Sequence, residues 1–303
     1  MYDIIIIGGG PAGLTAGIYA GEANKKVLIL DKTGYGGQMS NINNITNFSG
    51  YESINGFDLT LKMKNQAINS GAEFLAEEVV WCNLINDVKV VKTHKKEYRA
   101  KNVIIASGAF AKTLDLQNEK AFLGKGLSYC ATCDGNFFKD KVVAVVGGGN
   151  SSMDDCIYLS GLAKKIYLIH RRDKFTATDK LLNKVQALMS EDDKIEQVLN
   201  SVVTNLYGNE KLEEITVLNK ITGEEKKLQV DGLFVAIGRK PDTEIYAGQL
   251  QLDNGGFIVT NEKMETNING VYAAGDVRTT PLKQIITACS DGAIAVNSIL
   301  KKG

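Results

Sequence analysis

A strand–glycine loop–helix–strand device occurs twice in this chain, and it constrains the fold more than any other feature. Ile4-Ile5-Ile6-Ile7 is an apolar run suited to a short strand buried on both faces. Gly8-Gly9-Gly10-Pro11-Ala12-Gly13 then fits G-x-G-x-x-G, residues 14–23 continue as a helix, and residues 27–30 form a second strand ending on Asp31. Glycines let the backbone approach a pyrophosphate, whose charge is met by N–H groups at the helix N-terminus. An acid at the end of the second strand can accept hydrogen bonds from ribose hydroxyls. Taken alone, such a loop is a weak signal and can be a plain glycine-rich turn. Here strand, helix and acid all fall in place.

The device recurs with residues 141–146 as strand, Gly147-Gly148-Gly149-Asn150-Ser151-Ser152 as loop, residues 153–162 as helix and residues 165–169 as strand. From Gly8 to Asp31 is 23 residues, and from Gly147 to His170 is also 23. The register that carries an acid in the first copy carries His170-Arg171-Arg172 in the second. An acid repels a 2′-phosphate, whereas guanidinium groups bind one through charge-assisted forks. The first copy therefore suits FAD or NAD, and the second suits NADPH. Ser152 takes the place of a third small residue that packs helix against strand, a change small enough to be tolerated.

Between the two loops lies Cys130-Ala131-Thr132-Cys133, followed at once by Asp134. Two intervening residues let both sulfurs close a small disulfide ring, which shuttles two electrons and two protons, and the acid can supply or take a proton. The competing readings are half a zinc site and two buried cysteines. Zinc needs about four ligands, there is no second C-x-x-C, and His94 and His170 lie far away in sequence. No metal is expected, and redox chemistry is the favoured reading in this company.

The bulk numbers narrow the field. At 303 residues the length suggests two domains. Lys and Arg balance Asp and Glu at 35 each, so nothing argues for nucleic acid or an anionic membrane. The Ile4–Ile7 run is too short for a signal-peptide core and runs straight into glycines. No segment approaches the ~20 apolar residues of a membrane span. Of the five cysteines, Cys82, Cys156 and Cys289 are scattered among apolar neighbours, which fits core residues in a reducing compartment. The chain is expected to be soluble and cytoplasmic. Downstream, residues 231–239 read as a strand with a glycine-rich exit at Gly238-Arg239. Residues 270–277 read as a strand ending in Gly275-Asp276, and residues 285–300 as a terminal helix.

With these residues assembled, the chain resembles the low-molecular-weight thioredoxin reductases over nearly its whole length. The motifs that carry the resemblance are GGGPAG at Gly8, Gly36-Gly37-Gln38, Ile104-Ile105-Ala106-Ser107-Gly108, Cys130-Ala131-Thr132-Cys133-Asp134, GGGN at Gly147, His170-Arg171-Arg172-Asp173, Val235-Ala236-Ile237-Gly238-Arg239 and Ala273-Ala274-Gly275-Asp276. The resemblance implies an α/β chain of two Rossmann-like three-layer dinucleotide-binding domains, the second inserted into the first. The FAD-binding domain would span 1–112 plus 241–303, and the NADPH-binding domain with the redox cysteines 113–240. The short crossings near Lys112 and Lys240 would then be hinges.

On the first site the resemblance implies that Gly8, Gly10, Pro11, Ala12, Gly13, Asp31, Gly37, Gln38, Asn47, Gly108, Gly275, Asp276 and Gln284 hold FAD. Asp276 would meet the ribityl chain, with Asn47 and Gln284 near the ring system. On the second, Gly147, Gly149, Asn150, Ser151, His170, Arg171, Arg172, Gly238 and Arg239 would hold NADPH. Electrons would pass from NADPH through FAD and the Cys130–Cys133 disulfide to oxidised thioredoxin. Cys133 would face the flavin, Cys130 attack the partner, and Asp134 handle protons; neither His94 nor His170 is well placed to act as a base instead. The family also implies a homodimer.

Ser107 stands for a commoner threonine and Ser49 for a proline, neither of which changes chemistry. Thr176 stands where H-R-R-x-x-x-R places its last arginine, and weaker discrimination against NADH is the expected result. Three alternatives remain open: a flavin disulfide reductase fed by NADH or ferredoxin, the reductase half of a peroxide-scavenging pair, and a non-catalytic flavin-binding sensor or interaction protein. The intact dithiol argues against the last.

Overall fold

The structure, a computed structural model, describes residues 1–34, 36–42 and 44–302. Tyr35, Asn43 and Gly303, three positions inside the expected FAD part, lie outside the described residues. The chain forms two compact units, Met1–Phe110 with Lys240–Gly303 and Ala111–Arg239.

In the first unit, β1 (Tyr2–Ile7) leads into α1 (Pro11–Glu22) and β2 (Val27–Asp31). They are followed by α2 (Gly56–Asn69), β3 (Glu73–Ala76), β4 (Val79–Asn83), β5 (Lys89–Thr93) and β6 (Glu97–Ile105). The sheet runs β3-β2-β1-β6-β5-β4. The strands β3, β2, β1 and β6 are parallel, while β6, β5 and β4 form an antiparallel meander. β6 is shared lengthwise. Its first half pairs with β5, and Val103–Ile105 pairs with Val271–Ala273 from the end of the chain.

β1 is buried on both faces, as its sequence requires. Ile4 and Ile6 pack with Leu14, Ile29, Ile104 and Val296 on one side. Ile5 and Ile7 pack with Leu28, Leu30, Val103 and Ile258 on the other. Each such side chain contributes about 1.5–3 kcal/mol by leaving water. The terminal helix Ile285–Leu300 crosses α1 so closely that a Cβ on Gly292 would stand 2.2 Å from the Ala12 carbonyl oxygen.

The second unit is built on a parallel sheet in the order Ile195–Val198, Lys165–Ile169, Val142–Val146, Gly232–Val235, Leu127–Ser128. The helices Asn150–Ser160 and Asp179–Glu191 cover one face. An antiparallel meander of Ser201–Tyr207, Glu214–Asn219 and Glu225–Gln229 covers the other, burying Val203, Leu206, Ile215 and Val217 on Ala144, Val146 and Leu233. The fold is two three-layer, Rossmann-like α/β bodies, as the sequence implied.

The repeat is real down to single hydrogen bonds. Ile7 pairs with Leu30 and Val146 with Ile169, the same offset in both copies. The Gly8 N–H donates to the Leu30 carbonyl at 2.8 Å, and the Gly147 N–H to that of Ile169 at 3.0 Å. Both helices start earlier than the sequence suggested, at Pro11 and Asn150 rather than Leu14 and Met153. The physical reason is that Gly10 and Gly149 are the caps, so the loop residues after them already belong to the first turn.

Candidate active site

In the second unit the strand Leu127–Ser128 delivers the chain to Cys130, which caps the four-residue helix Ala131–Asp134. One helical turn sets residues three apart on the same side, and Cys130 and Cys133 are joined in a disulfide with their Cα atoms 5.3 Å apart. Ala131 is fully buried beneath the turn. The next glycine keeps the turn tight on the helix Asn150–Ser160, since a Cβ on Gly135 would lie 2.8 Å from the Tyr158 ring.

Asp134 sits beside the pair, partly buried. Its Oδ2 accepts a 2.6 Å hydrogen bond from the Ser128 hydroxyl, whose oxygen accepts the Cys130 N–H at 3.0 Å. Burial pushes the Asp134 carboxyl above its ordinary range, and the Ser128 bond pulls it back. The arrangement can therefore hold a proton next to two sulfurs. Ser128 was not singled out in the sequence, where it is one serine at a strand end, six residues from the acid.

Also in the second unit, Gly149 caps its helix with no side-chain hydrogen bond, and a Cβ added there would meet nothing within 4 Å. A free helix N-terminus facing open space suits a phosphate. Asn150 Oδ1 accepts the Thr178 N–H at 2.9 Å. Ser152 is fully buried, packs against Gly147, and bonds the Gly149 carbonyl at 2.8 Å. The His170 ring lies under the loop, where a Cβ on Gly148 would fall 2.0 Å from it. It stacks near Phe175 and meets the Lys174 carbonyl at 3.0 Å. Burial lowers its pKa, with the Lys174 bond opposing. Arg171 and Arg172 are exposed. Thr176 directs both its N–H and its hydroxyl to the Gly148 carbonyl, at 2.7 and 3.1 Å. Asp155, on the same helix as Asn150, has its carboxyl pushed up to about 7 by burial and then by Asp154, against the pull of Arg239.

In the first unit Gly10 caps α1, again with no side-chain hydrogen bond. Asp31 ties the loop down: Oδ2 accepts the Gly9 N–H at 2.7 Å, and Oδ1 accepts Thr33 and Gly34 N–H groups at 2.9 and 2.6 Å. A Cβ on Gly13 would stand 1.9 Å from the Gly8 carbonyl oxygen, so only glycine lets this helix meet this loop. Gly37 stacks over Gly10, with a virtual Cβ 3.6 Å from the Gly10 Cα. Gln38 Nε2 donates to the Ala109 carbonyl. Gly108 adopts φ +75° and faces open space. Asn47 and Gln284, 237 residues apart, meet at 3.1 Å. Gln284 also caps the terminal helix in a reciprocal pair with Thr287. The Gly275–Val277 turn that carries Asp276 rests on Ala12 and is held by Asp291, whose Oδ2 accepts the Gly275 N–H at 3.0 Å. Asp291 was also missed; an acid inside an apolar terminal helix was the available signal.

The expected flavin residues thus collect along one strip of the first unit, from Gly10 and Gly37 to Asn47, Gln284 and the Gly275 turn. The uncapped helix, the open glycines and the buried acid under the loop fit an adenine dinucleotide.

The profile of the pyridine nucleotide-disulphide oxidoreductases matches residues 2–292. Among curated relatives, the thioredoxin reductase of Bacillus subtilis is 41% identical over 300 residues, spanning 99% of this chain and 94% of its own. That of Mycoplasma pneumoniae is 40% identical over 301 residues, spanning 99% and 94%. Among solved structures, thioredoxin reductase from Streptococcus pyogenes superposes with a TM-score of 0.92 at 39% identity, covering 99% of this chain and 97% of that one. The Giardia duodenalis enzyme gives 0.93 at 34% identity, covering 99% and 98%. With its paired glycine loops and its cysteine pair set beside an acid, the chain belongs to the pyridine nucleotide-disulphide oxidoreductase family, among the thioredoxin reductases.

Proposed function

We propose that this protein is a thioredoxin-disulfide reductase that carries electrons from NADPH through FAD and the Cys130–Cys133 disulfide to oxidised thioredoxin. The observation that carries the reading is the closed Cys130–Cys133 disulfide with Asp134 alongside, in a chain holding two dinucleotide loops. We assign FAD to the discontinuous unit, with the strip from Gly8 to Gln284 as its cradle, and NADPH to the inserted unit, with Gly147, Gly149, Asn150, Ser151, Arg171, Arg172, Gly238 and Arg239. FAD supplies the means of turning a hydride into an electron pair for the disulfide.

What this chain's own residues do follows from thiol–disulfide chemistry. The electron pair breaks the Cys130–Cys133 bond and leaves two sulfurs carrying thiolate or thiol. The Cys130 thiolate attacks the partner's disulfide, forming a mixed disulfide and expelling one partner thiolate. Cys133 then attacks the Cys130 sulfur, which restores the intramolecular disulfide and expels the second. Asp134 gives a proton to a departing thiolate and takes one back from solvent before the next turnover.

His170 supports the coenzyme loop from below, and Arg171 and Arg172 meet the 2′-phosphate from solvent. Since the Thr176 hydroxyl is engaged with Gly148, discrimination against NADH rests on those two arginines. The two chain crossings act as hinges during turnover. α2 presents Phe57, Leu61 and Ile68 on one side, each roughly two-fifths exposed at 42%, 39% and 44%, which supports a homodimer joined through this unit. No helix among the described residues is long and apolar enough to cross a membrane. We place the enzyme in the cytoplasm, where the free thiols of Cys82, Cys156 and Cys289 stay reduced.

The test is an anaerobic titration of the flavin-loaded protein with NADPH and, separately, NADH, followed by flavin absorbance. Bleaching by NADPH and reoxidation by oxidised thioredoxin, lost in Cys130→Ser, is the expected result. Bleaching by neither nucleotide would transfer the donor role to ferredoxin or another reductant.

A further inference from the structure

We infer that Ser128 is a positioning residue that keeps Asp134 hydrogen-bonded in both of its protonation states, so that the acid can cycle without any heavy atom moving. The inference rests on the reading of Asp134 as the proton donor and acceptor of the disulfide exchange.

Ser128 is 4% exposed, so water does not readily take its place. Its oxygen lies 2.6 Å from Asp134 Oδ2, 3.0 Å from the Cys130 nitrogen and 3.3 Å from the Cys130 carbonyl oxygen. A hydroxyl has one proton to give and two lone pairs to receive with. With Asp134 ionised, the hydroxyl donates to Oδ2 at a distance typical of charge-assisted bonds, and one lone pair takes the Cys130 N–H. With Asp134 protonated, the carboxyl O–H donates across the same gap to the second lone pair. The serine proton then turns to the Cys130 carbonyl, and the Cys130 N–H stays where it was. When the acid acts, the carboxyl O–H bond breaks, an S–H bond forms on the departing thiolate, and the electron pair stays on the carboxylate. The serine rotates its proton back to meet the new charge.

Among the described residues, the titratable groups of the neighbouring elements are engaged elsewhere or lie apart from this acid. The helix packed on the redox turn carries Asp154, Asp155, Cys156 and Tyr158. Next to Cys130, Tyr129 donates to Glu119 at 2.6 Å. None of these has a hydrogen bond to Asp134. Burial raises the Asp134 pKa, and the Ser128 bond is the opposing influence.

The experiment follows the Asp134 carboxylate band by infrared difference titration of the flavin-loaded, oxidised protein, with Asp134→Asn identifying the band. It is run beside the pH profile of thioredoxin reduction. Ser128→Ala is expected to raise the carboxyl midpoint by about one pH unit, because the charged hydrogen bond lost from the ionised form outweighs the neutral one lost from the protonated form. Ser128→Thr, which keeps the hydroxyl, should restore it. Where Ser128→Ala does not fold, Ser128→Cys retains the volume with a weak donor and must also raise the midpoint. A midpoint that stays at the wild-type value in Ser128→Ala or Ser128→Cys overturns the inference. The acid reading fails separately, if Asp134→Asn leaves the rate profile unchanged while the infrared midpoint still responds to Ser128.

Discussion

Replacing Asp155 by asparagine should stabilise the protein, and only above a definite pH. Its carboxyl rises from the ordinary 3.8 to about 7, with burial the first cause, Asp154 the second and Arg239 opposing. At 1.36 kcal/mol per unit, a rise of that size corresponds to an upper limit of about 4 kcal/mol. Asp155 is only partly buried and has a guanidinium nearby, so about 2 kcal/mol is the working figure. The sign follows from the raised value. Below pH ~3 the acid is protonated in folded and unfolded chains alike, and the folded form bears no charge cost. As pH climbs toward 7, the unfolded chain ionises first, and the native state loses stability until both forms are charged. Asparagine never ionises. The gain of Asp155→Asn over wild type should therefore be nil near pH 3, grow between about 4 and 7, and level off above about 7.5. Urea unfolding followed by far-ultraviolet circular dichroism at pH 4.5, 6 and 8 measures it. A difference that is flat across that range, or that shrinks as pH rises, refutes the reasoning.

Thr176→Arg should tighten binding of adenosine 2′,5′-bisphosphate about 3- to 10-fold, because the site is exposed and screening limits the gain, while leaving 5′-AMP unchanged. Calorimetry on the oxidised protein reads the ratio, and an unchanged ratio would remove position 176 from coenzyme choice. Leu61→Glu should convert a dimer to a monomer in sedimentation at micromolar concentration, with flavin retained; a persistent dimer would place the interface away from α2. Asp291→Ala strands the Gly275 N–H and leaves Arg278, 9% exposed, without the carboxylate 3.6 Å from its Nε. A loss of about 2–4 kcal/mol with release of flavin is expected, seen as lower thermal stability and rising flavin fluorescence. Asp291→Asn should recover part of it by restoring the acceptor.

The sequence made the glycine devices legible because several independent requirements coincide there. Ile4–Ile7 needs burial on both faces, Gly13 sits where the Gly8 carbonyl leaves no room for a Cβ, and Asp31 and His170 fall at one register. The helix starts were misread by three residues because the cap lies inside the glycine motif, and periodicity shows only after the first turn. The two antiparallel meanders gave no comparable signal. Their strands are short and alternate loosely, and their partners are fixed by packing on a sheet the local sequence does not reveal. Ser128 and Asp291 were illegible for another reason: each matters through one hydrogen bond to a residue 6 and 16 positions away, respectively. In each pair the two residues lie on different elements, so no single helical or strand period links them.

The shared strand β6 has a consequence for synthesis on the ribosome. Val103–Ile105 waits for Val271–Ala273, and 165 residues of chain lie between Ile105 and Val271. At roughly 5–20 residues per second of synthesis that is a delay of roughly 8 to 33 s. The whole inserted unit emerges in the interval and can fold, while the first sheet stands with an open apolar edge, the kind of edge that recruits foreign strands. The nascent chain is therefore most vulnerable to aggregation while its second body is being made. A translational pause after Arg239 would lengthen that window without changing a single residue.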